Sequence, residues 1–168
     1  MSSKLKIEIV PLAEVPQEDT VVVPGKPQPV VLVVDDERVI ADTLSIILSQ
    51  SGFSTMTAYD GVSALTLAAA VPPDLLISDV VMPGMSGIDL AIAITQDIPE
   101  CKVLLFSGQA ATVDLLEKAR EAGHHFTTLT KPVHPTDMLR RISESLASHD
   151  THIGIETEPS DSGLRLYQ

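Results

Sequence analysis

The stretch Leu75 to Gly87 reads L-L-I-S-D-V-V-M-P-G-M-S-G, and the architecture of the whole chain turns on it. An apolar run too short for a helix comes after Pro72-Pro73-Asp74 and ends in an acidic residue, after which Met82-Pro83-Gly84 supplies turn chemistry. This predicts a buried strand that delivers Asp79 to a loop. In open parallel sheets ligands bind at the carboxyl ends of strands, so an aspartate there is placed for chemistry. Taken alone, Asp79 is equally a polar residue ending a strand.

Other strand ends decide between the two. Val30 to Val34 is a continuous β-branched run around Leu32, the pattern of a strand buried on both faces, and it ends at Asp35-Asp36. From Arg38 the period changes: Ile40, Leu44, Ile47 and Leu48 mark a helical face that stops at Gly52. Phe53 to Thr57 reads as a second strand, and Asp60 caps a helix running to Val71. Beyond Asp79, Ser86 and Asp89 have capping-box spacing for a helix that ends before Pro99. Val103 to Ser107, Ala110 to Ala122, Phe126 to Thr130 and a helix burying Met138, Leu139, Ile142 and Leu146 complete the alternation. Five strands alternating with five helices predict an α/β, doubly wound (βα)5 sandwich. Its central five-stranded sheet is parallel, its crossovers are right-handed, and its architecture is flavodoxin-like.

At 168 residues the chain supports one such domain with appendages. Residues 1–29 form a Pro-rich arm, with prolines at Pro11, Pro16, Pro24, Pro27 and Pro29. The alternation of Leu5, Ile7 and Ile9 there is able to add one strand to a sheet edge. Residues 30–147 hold the folded domain, and 148–168 are a polar C-terminal tail. The net charge of −12 argues against nucleic acid as a partner. No stretch approaches the ~20 apolar residues of a membrane span, and no signal-peptide core is present, so a cytoplasmic location is expected. Cys101 is the single cysteine, which excludes an internal disulfide; it is expected to be buried at the start of the fourth strand. The five histidines lack metal-ligand spacing with it.

Four pieces, V-V-L-V-V-D-D-E at Val30 to Glu37, S-D-V-V-M-P-G-M-S-G at Ser78 to Gly87, L-L-F-S-G at Leu104 to Gly108 and L-T-K-P at Leu129 to Pro132, resemble the receiver domains of two-component response regulators. The resemblance runs from about Pro29 to Ala147, in the family's order. It implies that Asp79 accepts a phosphoryl group from a sensor histidine kinase or a histidine phosphotransfer protein. It implies further that Asp36, Asp79 and the backbone carbonyl of Val81 hold Mg²⁺, with Asp35 acting through water. The chemistry agrees, because three crowded carboxylates repel one another unless a hard cation neutralises them, and Mg²⁺ takes carboxylates while leaving positions for phosphate oxygens. The pair Asp35-Asp36 also fits a helix N-cap.

By the same resemblance Lys131 contacts the phosphoryl group, the Lys131–Pro132 peptide is cis, and Ser107 is the hydroxyl that reports phosphorylation. Gly108 leaves room for phosphate near the backbone. The family's aromatic switch position is here Thr128, a departure that puts the coupled switch in question while leaving the transfer chemistry intact. Val81 and Gln109 stand where the family tunes attack by water on the acyl phosphate. An apolar Val81 neither orients water nor repels it by charge, so slow to moderate self-dephosphorylation is expected.

No DNA-binding segment comes after Leu146 in this sequence, so output is expected through altered protein–protein binding to an unknown downstream protein, a homodimer included. Arg120, Met138 and Arg141 are the candidates on the usual partner face. Two rival functions stand beside this one. The first is a receiver-like interaction module that works without phosphorylation. The second is an aspartate-dependent phosphohydrolase, whose D-x-D nucleophile comes after the first strand; here that strand ends Asp35-Asp36-Glu37, so no enzyme with free substrate turnover is expected beyond self-catalysed transfer to and loss from Asp79.

Overall fold

In the computed structural model, residues 27–108 and 111–147 are described. The arm before Pro27, the tail after Ala147 and the pair Gln109-Ala110 lie outside them. The elements run β1 (Val30–Val34), α1 (Arg38–Gln50), β2 (Ser54–Ala58), α2 (Gly61–Ala70), β3 (Leu75–Asp79), α3 (Gly87–Asp97), β4 (Lys102–Ser107), α4 (Ala111–Glu121), β5 (Thr127–Thr130) and α5 (Pro135–Ala147). All four strand pairings are parallel, in the order β2-β1-β3-β4-β5. The doubly wound (βα)5 fold is therefore the observed one. Boundaries shift by a residue in places: β2 takes Ala58 and sheds Phe53, while β4 begins at Lys102, so Cys101 sits just before it.

The continuous apolar strands are explained by the layers on both sides of them. Alternate residues of β1, β3 and β4 divide between two cores. Leu32, Leu76 and Leu105 face Ala64, Ala68, Leu90, Ile94 and Ala119 on α2, α3 and α4. Val31, Val33, Ile77, Leu104 and Phe106 face Ala41, Leu48, Met138 and Ile142 on α1 and α5. Met138 is 1% exposed and so serves the core; it is not a partner-facing residue. The residues that α2 buries are the small Gly61, Ala64 and Ala68.

Local chemistry sets the helix starts. Asp60 accepts from the Ser63 backbone N–H at 2.8 Å, and Ser86 accepts from the Asp89 N–H at 3.1 Å. Only half of a capping box forms at α3, since the Asp89 carboxylate takes the Ser86 hydroxyl proton in a hydrogen bond of 2.7 Å. Between β3 and α3 the chain turns at Gly84, whose φ of 79° is left-handed. The Gly87 N–H then donates to the Val80 carbonyl at 2.9 Å. A Cβ on Gly87 would collide with the carbonyl oxygen and carbon of Asp79 and would lie 2.9 Å from Ser78 Oγ. Glycine at this position lets the first turn of α3 rest directly on the backbone of Asp79.

Replacing Gly87 by Ala forces that backbone apart and should lower the unfolding free energy in urea by about 1–3 kcal/mol; an unchanged midpoint would show that the loop yields freely. A second outcome concerns Cys101, which is 4% exposed and whose thiol pKa burial pushes from 9.0 up to about 11. The neutral thiol is thus favoured by folding: its contribution to stability is complete below pH 9.0 and is lost as pH climbs through about 11. At pH 8 a disulfide reagent should react with native Cys101 about 100-fold more slowly than with the unfolded chain, and equal rates would contradict the burial.

Candidate functional site

The 2-1-3-4-5 order reverses direction between β1 and β3, so a crevice opens at their carboxyl ends. β1 delivers Asp35 and Asp36 to that crevice, and β3 delivers Asp79. One carboxylate oxygen from each lies within 4.8 Å of the others. Their exposure is graded: Asp35 is buried, Asp79 is half-buried and Asp36 is exposed. Asp79 is thus reachable from solvent, while Asp35 forms the floor.

Neither Asp35 nor Asp36 caps α1. The N-cap is Glu37, without a side-chain cap bond. Asp35 Oδ1 instead accepts the Glu37 N–H at 2.9 Å, which fixes the floor carboxylate. Its other oxygen faces Lys131, whose Nζ lies 3.3 Å from Asp35 Oδ2 and 3.1 Å from Asp79 Oδ2. Burial pulls the Lys131 pKa down, but the hydrogen bond to Asp79 and the charges of Asp35 and Asp79 outweigh it, and the net shift is upward. The ammonium is therefore charged at neutral pH.

Lys131 arrives from β5 because the last rungs of the β4–β5 ladder hold it. Phe106 pairs with Leu129 and Ser107 with Thr130, and the Lys131 N–H donates to the Ser107 carbonyl at 2.8 Å. The Lys131–Pro132 peptide is cis. Ser107 is half-buried at the end of β4, one residue beyond Phe106, which pairs with Asp79. A Cβ on Gly108 would make ordinary contact with the Lys131 stem at 3.5 Å, so Gly108 borders that stem. Val81 is 45% exposed on the loop after Asp79. Thr128 is exposed on β5, and Gln109 lies outside the described residues. Phe126, two residues from Thr128, packs on the α2–α4 side and stacks on His124 with ring centroids 6.0 Å apart.

The site's donor set suits a hard divalent cation. Three carboxylates against one ammonium leave about two negative charges uncompensated, and all the facing atoms are carboxylate oxygens. The sequence pointed to every side chain of this cluster. It missed the support from Gly87, whose only sequence signal was a glycine where a helix begins. It also missed the Glu37 N–H, since backbone donors leave no sequence signal.

A model of the response regulator receiver domain matches residues 31–143. The probable transcriptional regulatory protein TcrX of Mycobacterium tuberculosis is 35% identical over 140 residues, covering 83% of this chain and 56% of that protein. The DNA-binding response regulator MtrA of Mycolicibacterium paratuberculosis is 31% identical over 71% of this chain and 52% of its own length. The chain thus spans about half the length of the curated relatives it matches. Among solved structures, the signal receiver domain of an HD domain-containing protein from Pseudomonas fluorescens is 30% identical with a TM-score of 0.67, covering 73% of this chain and 97% of that one. The chemotaxis protein CheY4 of Vibrio cholerae is 28% identical with a TM-score of 0.64, covering 71% of this chain and all of that one. With sheet order, acidic cluster and family match in agreement, the chain belongs to the response regulator receiver domain family.

Proposed function

We propose that this protein takes a phosphoryl group onto Asp79 from a histidine of a kinase or phosphotransfer protein, and signals by altered binding to another protein. The single observation that carries this is the Lys131 ammonium 3.1 Å from Asp79 Oδ2, beside the cluster that Asp79 forms with Asp35 and Asp36. In the transfer, an Asp79 oxygen attacks phosphorus, the P–O bond forms as the donor's P–N bond breaks, and the freed imidazole leaves with the electron pair. Lys131 meets one oxygen of the incoming group as a point charge. Asp35, held by the Glu37 N–H, keeps Lys131 from collapsing wholly onto Asp79. Asp35, Asp36, Asp79 and the Val81 carbonyl would hold Mg²⁺, which when bound neutralises the carboxylates and the transferred oxygens.

Beside Lys131 an apolar groove of about 480 Å³ lies between α1 and the β5–α5 connection, lined by Ile40, Leu44, Pro132 and Val133 among others. It offers a donor helix a surface next to Asp79. Ser107 would follow the phosphoryl group and pass its presence to β4. We further propose a domain spanning 30–147, flanked by the arm 1–29 and the tail 148–168, and acting in the cytoplasm. None of the described helices is long and apolar enough to cross a membrane. A second function, an interaction module that works unphosphorylated, is favoured by one observation: exposed Thr128 supplies no ring to bury behind Ser107.

The two functions separate in one experiment. Acetyl phosphate with Mg²⁺ should add one phosphoryl group to the intact protein by mass; chelating the metal or making Asp79→Asn should abolish the gain, and Lys131→Ala should slow it at least about tenfold, the loss of one charge-assisted contact. No gain in the unaltered protein under saturating Mg²⁺ selects the interaction module. The phosphorylated form, freed of donor, should persist for minutes or longer because Val81 neither orients nor repels the attacking water. Decay within seconds would remove that role from Val81.

A further inference from the structure

The β2 side of the acidic crevice carries a cation that the carboxylates do not hold. Val34 pairs with Ala58, and the Asp35 N–H donates to the Ala58 carbonyl at 3.3 Å, so Tyr59 comes next to the entrance of the cluster. Arg38 opens α1 two positions after Asp36. Two residues of chain span at most about 7 Å, so the exposed Asp36 carboxylate is within reach of the arginine side chain. The guanidinium carbon lies instead over the Tyr59 ring, 4.1 Å from its centroid. Lys131 pairs with Asp35 and Asp79, and among the described residues neither Asp36 nor Arg38 forms an ion pair.

The ring that holds Arg38 is itself fixed at both ends. Its body packs against the core that α1 and α5 cover, and its hydroxyl donates to Asp42 Oδ1 at 2.8 Å. Half-buried Tyr59 thereby presents one aromatic face at a set place, and exposed Arg38 occupies it. By charge alone a guanidinium here would turn towards three carboxylates that carry about two uncompensated negative charges. In the crevice it would stand where the donor set suits a divalent cation.

We propose that Tyr59 is a positioning residue: it parks Arg38 on the rim and so leaves Asp36 open to a divalent cation. This role rests on the reading of the crevice as a Mg²⁺ site, and it accounts for an arginine so near Asp36 leaving that carboxylate unpaired. Without the ring, Arg38 is released to Asp36, and Mg²⁺ must displace a guanidinium before it binds. Apparent affinity falls in proportion to the fraction of molecules whose crevice is open, so Arg38 turned inward about two-thirds of the time weakens binding about threefold. Asp42 acts through the orientation of the ring, since its carboxylate meets the hydroxyl and not Arg38.

The test is a Mg²⁺ titration of the full chain followed by the NMR signals of Asp36 and Asp79. Tyr59→Leu keeps an apolar body against the core and should weaken Mg²⁺ binding at least about threefold, whereas Tyr59→Phe, which keeps the ring, should bind like the unaltered chain. Added to Arg38→Gln, Tyr59→Leu should leave Mg²⁺ affinity where Arg38→Gln alone puts it, because no guanidinium remains to enter the crevice. Before any metal is added, Tyr59→Leu should also shift the Asp36 carboxyl carbon, and that shift should vanish in the Arg38→Gln background. An equal loss of Mg²⁺ affinity with and without Arg38 would overturn the proposal and make Tyr59 a packing residue; so would full affinity in Tyr59→Leu. An unaltered chain that binds no Mg²⁺ would remove the metal site itself, and this role with it.

Discussion

Three carboxylates brought to one crevice repel one another, and the rest of this structure is arranged to hold them there. At about 4 Å, in an effective dielectric near 20, a like-charged pair costs about 4 kcal/mol before relaxation, so a folded chain tolerates such a cluster only with nearby positive charge. Lys131 supplies part of it, 3.1 Å from Asp79 and 3.3 Å from Asp35. The remaining negative charge makes the crevice able to hold a hard divalent cation. Asp35 is buried and pinned by a backbone N–H, whereas Asp36 is exposed, so the cluster has a rigid floor and an accessible rim.

That arrangement depends on a sheet whose strands are buried on both faces. Leucines and valines of β1, β3 and β4 divide between two cores, and each strand end is thereby held at a fixed height. The start of α3 lies against the carbonyl of Asp79, an approach only glycine permits at position 87. The Asp79 carboxylate thus sits on a strand that neighbouring strands and a helix terminus hold from three sides. The loop after it carries Val81, which is 45% exposed.

Membership of the receiver family accounts for the acidic site and the sheet, and it leaves two features that belong to this chain. Thr128 is exposed on β5, while Phe126, two residues before it, packs against the core that α2, α3 and α4 cover. The second feature is the cavity at the far end of β4 and β5, lined by Lys102, His125 and Arg141 beside α5. The curated relatives are about twice the length of the matched region, so the parts of them outside the match carry no information about output from this chain.

Local signals in the amino-acid order were enough to settle the succession of elements and the identity of the acidic residues. The β-branched run of Val30 to Val34, the apolar run ending at Asp79 and the glycine and proline stops act over a few residues, and short-range sterics decide them. Where two roles stood open for Asp35 and Asp36, the tertiary structure chose. The cap position fell to Glu37 because Asp35 is drawn down to Lys131, a partner 96 positions away that no local pattern reveals. The same long-range packing made Gly87 indispensable to the Asp79 backbone and gathered Lys102, His125 and Arg141 around one cavity. These are contacts between segments distant in the chain, and they exist only once the crossovers have stacked the strands in their 2-1-3-4-5 order.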